Sequence, residues 1–315
     1  MAVPPREVNY RGVVYAYKKQ LGKGSTGSVS LYGDESVGYV VLKISYCNDP
    51  KGQEEFYNEL RAVDLLQRAA DTGCSQQSLH WRSSTSQASE LPSSFVRTPL
   101  SWKAQDGCFY TLLDYYPSNL SQWLQATPDR TVEQVLGIFL QVASMISCLR
   151  EHKLYYNDLK PTNLLVMPIV GDPVPRVVIG DLGGLDVQGE TRITVTPSRL
   201  PKSLLEHLQW KDLDVVTGFL LGELILQLLL RSQSTAPRSN AMNDFLRCLL
   251  EDTPSDACVE RALLPALRSS LAPRLSLSDP RVLNLAALAL NLLGYQGWRL
   301  SLEDVWLLQG SPFSS

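Results

Sequence analysis

The chain has 315 residues, 44% of them hydrophobic, and can therefore bury one large core or two moderate ones. Its formal charge is −3 at pH 7 and its Lys and Arg residues are scattered, so no basic block could follow a phosphate backbone. We therefore expect no nucleic-acid partner. The N-terminal residues include two prolines but no apolar run, which argues against a signal peptide. The longest apolar stretch, residues 219–230, is too short to span a membrane and predicts a buried helix.

The six cysteines lack the CxxC spacing that is typical of zinc or redox sites. In a chain with this much core we expect free buried thiols rather than disulfides. A reducing compartment follows, unless an upstream targeting segment was removed. The cysteines are Cys47, Cys74, Cys108, Cys148, Cys248 and Cys258.

In chain order, the first part of the chain predicts β-structure and one helix. Strand-like runs of β-branched and aromatic residues occupy positions 13–17, 28–32 and 39–44. Apolar residues at helical spacing then predict a helix over residues 53–70. Residues 75–94 are rich in Ser and Gln and poor in apolar residues, so we expect a disordered insertion there.

Two more strand-like runs, at residues 94–102 and 108–116, complete the β-rich part. After it the pattern becomes mainly helical. Helices are predicted over residues 133–151, 212–231, 240–250, 259–271, 280–293 and 302–308. A β-rich part followed by an α-rich part favours two lobes, residues 1–115 and 116–315.

Residues 21–29 read LGKGSTGSV and contain the pattern G-x-G-x-x-G-x-V. The same glycine spacing marks dinucleotide sites, but there it opens a helix, whereas here a strand-like run follows. The glycines are therefore expected in a β-hairpin. Taken alone, the segment is also compatible with a plain glycine hairpin that binds nothing.

Three further segments follow in a fixed order. The sequence V-V-L-K ends on Lys43 among apolar strand residues, and Glu59 lies in the helix after it. Residues 155–166 read YYNDLKPTNLLV, and residues 177–183 read VVIGDLG. Together with the glycine segment, they resemble the glycine-rich loop, V-A-I-K strand, H-R-D-L-K-P-x-N loop and D-F-G motif of the eukaryotic protein kinase family. The resemblance covers nearly the whole chain.

This resemblance implies a two-lobed α+β fold that binds ATP and Mg²⁺, with a β-rich N-lobe and a helical C-lobe. Lys43 would contact the α- and β-phosphates and be oriented by Glu59. Glu54 and Glu55 are rival partners, but we expect both near the start of the helix, where carboxylates are favoured by the dipole alone.

The later motifs imply the groups that carry the transfer. Asp158 would accept or align the proton of the substrate hydroxyl, and Lys160 would neutralise the γ-phosphate. Asn163 and Asp181 would bind the magnesium ions. Asp214, which opens an apolar helix, would anchor the backbone of the catalytic loop. Read singly, Asp158 and Asn163 are also compatible with loop capping, and Asp181 with a turn.

The resemblance further implies a nucleotide-binding set. Its side chains would cover the faces of the adenine, its backbone groups would bind the adenine edge, and its glycines would form the loop over the phosphates. The three groups are, in that order, Leu21, Val29 and Val41; Asp114 and Tyr116; and Gly22, Gly24 and Gly27.

The sequence departs from the family pattern at several positions. Tyr156 replaces the catalytic-loop His, and Leu182 replaces the Phe of D-F-G. Asn157 replaces an Arg that in the family meets a phosphate on the activation segment, so we expect activity largely independent of that phosphorylation. Lys202 stands where the family has Glu, and we expect Glu206 to have taken over its ion pair with Arg299. The substrate platform is therefore the part of the resemblance with the weakest match.

The expected function is an ATP- and Mg²⁺-dependent Ser/Thr protein kinase with protein substrates. The preference for Ser/Thr rests on Lys160 and on Thr196, which resembles a threonine that touches the catalytic Asp. Two alternatives stay open: a pseudokinase scaffold that binds nucleotide weakly, and a small-molecule kinase of the same fold. The divergence would suit a pathogen effector or viral kinase in the host cytoplasm or nucleus. The oligomeric state, the substrate and the source organism are not specified by the sequence.

Overall fold

The computed structural model describes residues 4–23, 27–45, 49–69, 100–103, 108–187, 200, 213–230, 271–276 and 278–293. The chain forms two compact units. The first contains Met1–Pro117 and Val178–Gly183, and the second contains Ser118–Val177 and Gly184–Ser315. The first unit is β-rich, and the second contains most of the described helical residues. The predicted two-lobed α+β class is therefore confirmed. The predicted boundary after residue 115 stays a prediction.

A six-stranded antiparallel sheet forms most of the first unit, with the strand order β1-β2-β3-β4-β6-β5. Its strands are β1 (Glu7–Tyr10), β2 (Val13–Lys23), β3 (Gly27–Asp34), β4 (Gly38–Ser45), β5 (Leu100–Lys103) and β6 (Phe109–Asp114). The three runs of β-branched and aromatic residues predicted as strands lie in β2, β3 and β4. Strand β1 was not predicted.

Aromatic and aliphatic side chains form the core against one face of this sheet. Tyr32, Leu42 and Leu112 are completely buried. The Tyr32 hydroxyl donates a hydrogen bond of 2.9 Å to the Pro5 carbonyl, which fixes the segment that enters β1. Burial raises the pKa of this hydroxyl well above its ordinary value, so Tyr32 stays neutral and acts as a donor.

Helix α1 (Pro50–Ala69) begins one residue after Asp49, whose carboxylate accepts hydrogen bonds from first-turn backbone N–H groups, including that of Gly52 at 3.3 Å. This is a helix N-cap with proline at the first helical position. Phe56 packs the helix onto the sheet by stacking on Phe109, with ring centroids 4.3 Å apart. The helix therefore starts three residues earlier than the predicted 53–70.

The second unit combines helices with short strands. The helices are α2 (Leu120–Ala126), α3 (Val132–Glu151), α4 (Leu213–Leu229) and α5 (Pro280–Leu292). The strands are β7 (Ser118–Asn119), β8 (Leu154–Tyr156), β9 (Leu164–Ile169), β10 (Asp172–Ile179) and β11 (Leu185–Val187), which form the sheets β10-β9-β7 and β11-β8.

Three of the six predicted helices correspond to α3, α4 and α5. The predicted helices at 240–250 and 302–308, most of that at 259–271, and the insertion at 75–94 lie outside the described residues. Helix α3 is long and apolar enough to cross a membrane by length and composition. However, 67% of its apolar window is buried inside the protein, as expected for the central helix of a folded core.

The prediction of free thiols is wrong for two cysteines. Cys108 and Cys148 are both disulfide-bonded. Both are buried, as the prediction required, but burial does not distinguish a free thiol from a disulfide. The other four cysteines lie outside the described residues. Because disulfides persist mainly in oxidising environments, this finding removes the argument for a reducing compartment.

A completely buried arginine, Arg130, joins three helices of the second unit. It lies just before the N-terminus of α3. Its Nε donates to the Leu228 carbonyl at 2.6 Å, Nη2 donates to the Leu230 carbonyl, and Nη1 donates to Thr127 at the end of α2 at 3.3 Å. Burial lowers the pKa of Arg130 to about 10, which leaves the group charged at neutral pH. A cation at the C-terminal end of α4 complements the helix dipole.

Replacing Arg130 by Met should lower the free energy of unfolding by about 2–4 kcal/mol, because buried carbonyls at the end of α4 lose charge-assisted hydrogen bonds. Urea unfolding followed by circular dichroism measures the loss. The matched control is Arg281→Met, which removes a partly exposed guanidinium that pairs with Glu133 and Asp279. That change should cost about 1 kcal/mol or less. Equal stability of the Arg130 and Arg281 variants would contradict this role.

Candidate active site

In the first unit, Lys43 lies in the middle of β4, opposite Val29 of β3 and Thr111 of β6. Its Nζ forms an ion pair with Glu59 Oε1 of helix α1, and the two side chains are only 22% and 15% exposed. The structure thus brings Lys43 together with Glu59. Glu54, a rival partner in the sequence, lies on the exposed side of the helix. An ammonium group fixed in this way is suited to binding phosphate oxygens.

The residues predicted to surround the adenine all lie in the first unit. Val41 is buried in β4, and Val29 is half-buried in the neighbouring strand. Leu21 is exposed near the end of β2. Asp114 ends β6 and pairs with β4, and Tyr116 follows two residues later, half-buried. Asp114 and Tyr116 thus lie where the chain leaves the sheet after β6. The binding of adenine by these five residues stays a prediction.

The predicted phosphate loop joins β2 to β3. Gly22 is exposed at the end of β2, and Gly24 lies outside the described residues. At Gly27 a Cβ atom would lie 2.5 Å from the Ile44 carbonyl oxygen of β4, so any side chain would push the two strands apart. The close approach of the strands is therefore sufficient to require a glycine at this position.

Asp181 follows strand β10 and clusters with the first unit. It is exposed, whereas the next residue, Leu182, is buried. Leu182 begins a 3₁₀ turn, Leu182–Gly184, and keeps the apolar character of the Phe that it replaces. The alternation directs an apolar side chain into the core and leaves the carboxylate of Asp181 accessible.

In the second unit, the segment predicted to be the catalytic loop, residues 157–163, follows β8 and ends with the 3₁₀ turn Pro161–Asn163. The Asp158 Oδ2 atom accepts hydrogen bonds from Lys160 Nζ at 2.7 Å and from Asn163 Nδ2 at 2.8 Å. Leu159, between Asp158 and Lys160, is completely buried and fixes the loop to the core. The structure therefore brings together three residues that the sequence predicted as one site.

This arrangement limits what each group can do. Two donors hold one oxygen of the Asp158 carboxylate, so the orientation of the whole group is fixed. The Asn163 amide nitrogen donates to Asp158, so its oxygen is the atom that remains for a cation. Oxygen atoms of this kind, and an accessible carboxylate such as that of Asp181, are the ligands that Mg²⁺ prefers.

Within the described part of the chain, no cluster of three or more His, Cys, Asp or Glu residues could hold a metal alone. Magnesium is usually bound by one or two protein groups together with substrate phosphates and water. Asp181 of the first unit offers a carboxylate and Asn163 of the second offers an amide oxygen, and the binding of magnesium by either residue stays a prediction.

The predicted role of Asp214 is wrong. Its side chain is 48% exposed, and its carboxylate pairs with Arg150 of helix α3, with 2.9 Å between Oδ1 and Nε. Asp214 lies in the first turn of α4 and is drawn outward by this arginine. Another residue of α4, Thr217, contacts the catalytic loop instead: its hydroxyl donates to Asn157 Oδ1 at 3.4 Å.

Three functional candidates were not predicted from the sequence: Gly184, Asp186 and Thr217. Asp186 Oδ2 accepts a hydrogen bond of 2.9 Å from Asn157 Nδ2. The only signal in the sequence is an acidic residue shortly after the D-L-G motif, which has no fixed meaning by itself. Thr196, Lys202, Glu206 and Arg299 lie outside the described residues, so the rearranged substrate platform stays a prediction.

Comparisons with known proteins give two similar sequences. The probable serine/threonine-protein kinase MRK1 homolog of Encephalitozoon cuniculi is 25% identical over 211 residues, which are 65% of this chain and 55% of the relative. The serine/threonine-protein kinase YabT of Bacillus subtilis is 26% identical over 182 residues, which are 57% of this chain and 45% of the relative. The chain thus spans about half the length of the curated relatives it matches. No family model matches it.

Two independent features agree with these comparisons. The four motifs occur in the family's order, and the chain folds into a β-rich unit and a helical unit. Within these units, Lys43 pairs with Glu59, and Asp158 contacts Lys160 and Asn163. The chain is therefore a relative of the eukaryotic-type protein kinase family.

Proposed function

We propose that the chain is an ATP- and Mg²⁺-dependent protein kinase that transfers the γ-phosphate to Ser or Thr hydroxyls of protein substrates. One observation carries the proposal: the Asp158 carboxylate is held by Lys160 and Asn163 within a single loop. The names of the two relatives, both serine/threonine-protein kinases, support the reaction class.

Asp158 is the proposed acceptor of the hydroxyl proton. Proton transfer of this kind needs a carboxylate within hydrogen-bond reach and in one orientation, and the two donors on Oδ2 supply the orientation. Lys160 places a positive charge next to the Asp158 carboxylate. In the proposed reaction this charge would stabilise the negative charge that builds up on the transferred phosphoryl group. Both groups are partly buried, so their interactions are weakly screened by water.

Lys43 is the proposed ligand of the nucleotide's α- and β-phosphates, with Glu59 fixing its position. Asp181 and Asn163 are the proposed Mg²⁺ ligands. When bound, the ion neutralises phosphate charge and orients the phosphates for transfer. Leu21, Val29, Val41, Asp114 and Tyr116 remain the proposed adenine contacts, and Gly22, Gly24 and Gly27 the proposed phosphate loop.

Two further properties belong to the proposal. Because Asn157 cannot bind a phosphate as Arg would, we expect activity largely independent of activation-segment phosphorylation. Secretion as a pathogen effector would expose the chain to an oxidising exterior before it reaches the cytoplasm or nucleus of a host cell. The disulfides of Cys108 and Cys148 are compatible with that route.

The variant Asp158→Asn should lower the turnover number by about 10²-fold or more, because an amide cannot accept the hydroxyl proton. Transfer of labelled phosphate from ATP with Mg²⁺ to a generic basic protein measures the loss, and phosphoamino-acid analysis reports the acceptor residue. The ATP dissociation constant should change less than about threefold, since Asp158 faces the acceptor rather than the adenine.

The exposed Asp129 provides the matched control, because Asp129→Asn makes the same chemical change away from the loop and should leave activity unchanged. Full activity in the Asp158 variant would remove this residue from the mechanism. Native protein that binds Mg²⁺–ATP but transfers nothing would favour the scaffold alternative, and labelled metabolites without labelled protein would favour a small-molecule kinase.

Lys43→Met should abolish the Mg²⁺–ATP-dependent rise in thermal unfolding temperature that we expect of the native protein, because the phosphates lose their fixed cation. Differential scanning fluorimetry at increasing ATP concentration measures the shift. Lys51→Met, at an exposed position of helix α1, is the control and should keep the native shift. An undiminished shift in the Lys43 variant would show that the lysine does not bind the nucleotide.

A further inference from the structure

Asn157, directly before Asp158, lies in a buried polar network of the second unit. Its Nδ2 donates to Asp186 Oδ2 at 2.9 Å, and its Oδ1 accepts from the Thr217 hydroxyl at 3.4 Å. The three residues are 1%, 5% and 3% exposed, respectively. The network connects three separate elements, because Asp186 lies in β11 and Thr217 in α4.

Backbone pairing supports the same connection. Strand β11 pairs with β8, with Asp186 opposite Tyr155 and Leu185 opposite Tyr156. The Asn157 N–H donates to the Gly184 carbonyl at 3.1 Å, which extends the ladder by one bond into the catalytic loop. The segment that follows the D-L-G motif is therefore bound to the catalytic loop through both its main chain and a side chain.

Gly184 brings this segment into direct contact with the proposed catalytic residue. A Cβ atom at Gly184 would lie 2.6 Å from Asp158 Cβ and 3.3 Å from the Asp158 backbone nitrogen. A real Cβ contact is never so short, so a side chain here would displace Asp158. The position of β11 and the position of Asp158 are therefore coupled.

The chemistry of the network explains why Asn suits this position. The Asn amide has both a donor and an acceptor, so Asn157 satisfies Asp186 and Thr217 at the same time. An Arg has donors only, and its guanidinium could not accept the hydrogen bond from Thr217. A buried polar group costs free energy when it is unpaired, so the arrangement in which all three side chains are hydrogen-bonded is favoured over others.

We propose that Asn157, Asp186 and Thr217 form a permanent clamp that positions Asp158 for transfer without a phosphate on the activation segment. These are positioning residues, since they act through the backbone next to Asp158 and through Gly184. The inference rests on the proposed kinase function and adds the device that holds the loop. In related kinases with Arg at this position, a charged contact to a phosphate has the corresponding effect.

A side-chain exchange tests the clamp. In Asn157→Asp two carboxylates face each other in a buried place, so the turnover number should fall about tenfold or more. In the double variant Asn157→Asp/Asp186→Asn, the new amide donates to the new carboxylate, and Thr217 keeps an acceptor. This exchange should recover at least about half of the loss on a logarithmic scale. In both variants, KM for ATP should stay within about twofold of the native value.

Steady-state kinetics with Mg²⁺–ATP and a basic protein substrate, on variants with native circular dichroism, measure these values. Asp129→Asn repeats the Asp-to-Asn change at an exposed site and should have no effect. If Asn157→Asp does not fold, Thr217→Val removes one hydrogen bond without changing the volume, and the turnover number should fall about threefold or more with KM unchanged.

Phosphatase treatment supplies the second arm: native activity should stay within about twofold, since the clamp contains no phosphate. Three results would overturn the clamp. The first is native turnover in Asn157→Asp, or in Thr217→Val where that variant replaces it. The others are no recovery in the double variant and loss of most activity on dephosphorylation. These results leave the proposed function intact, because they require an active native enzyme. A native protein without Asp158-dependent transfer would instead overturn the proposed function and the clamp together.

Discussion

The Asp158 carboxylate, with one oxygen held between the nitrogen atoms of Lys160 and Asn163, is the interaction on which the proposed chemistry depends. A proton acceptor contributes to transfer only when its distance and orientation to the reacting hydroxyl are fixed. The loop achieves this with short elements: a three-residue strand before it, a 3₁₀ turn after it, and the buried side chain of Leu159 within it. A loop without these anchors would leave the carboxylate free to rotate.

Helix α4 connects this loop to the stability of the second unit. Near its start, Thr217 donates to Asn157 beside Asp158, and at its end Arg130 binds the carbonyls of Leu228 and Leu230. Between these points the helix is mainly apolar and mostly buried. Because apolar packing alone does not fix a single position, the polar contacts at its two ends determine how far the helix is shifted along its axis and which of its faces contacts the loop. Changes at Arg130 are expected to reach the catalytic loop through this helix.

Local patterns in the sequence were sufficient for the strands β2–β4 and for helix α1, because each depends on residues close in the chain. The grouping of Asp158 with Lys160 and Asn163 came from the resemblance of residues 155–166 to a kinase motif. Helix α2 also had a local signal that was missed, since Asn119 and Gln122 form a capping box. The outward position of Asp214 was not predictable in this way, because it depends on Arg150, 64 residues earlier. The Asn157–Asp186 contact and the disulfides of Cys108 and Cys148 depend likewise on tertiary packing.

The most direct test of the central claim is the single-turnover rate of phosphoryl transfer by Lys160→Met, measured by rapid quench with Mg²⁺–ATP and excess enzyme. This measurement isolates the chemical step from product release. Without the lysine, the Asp158 carboxylate loses the Lys160 donor, and the transferred phosphoryl group would lose the proposed cation. The rate should be at least about tenfold below that of the native protein, and the ATP dissociation constant should stay within about threefold of the native value. A rate equal to that of the native protein would contradict the central claim.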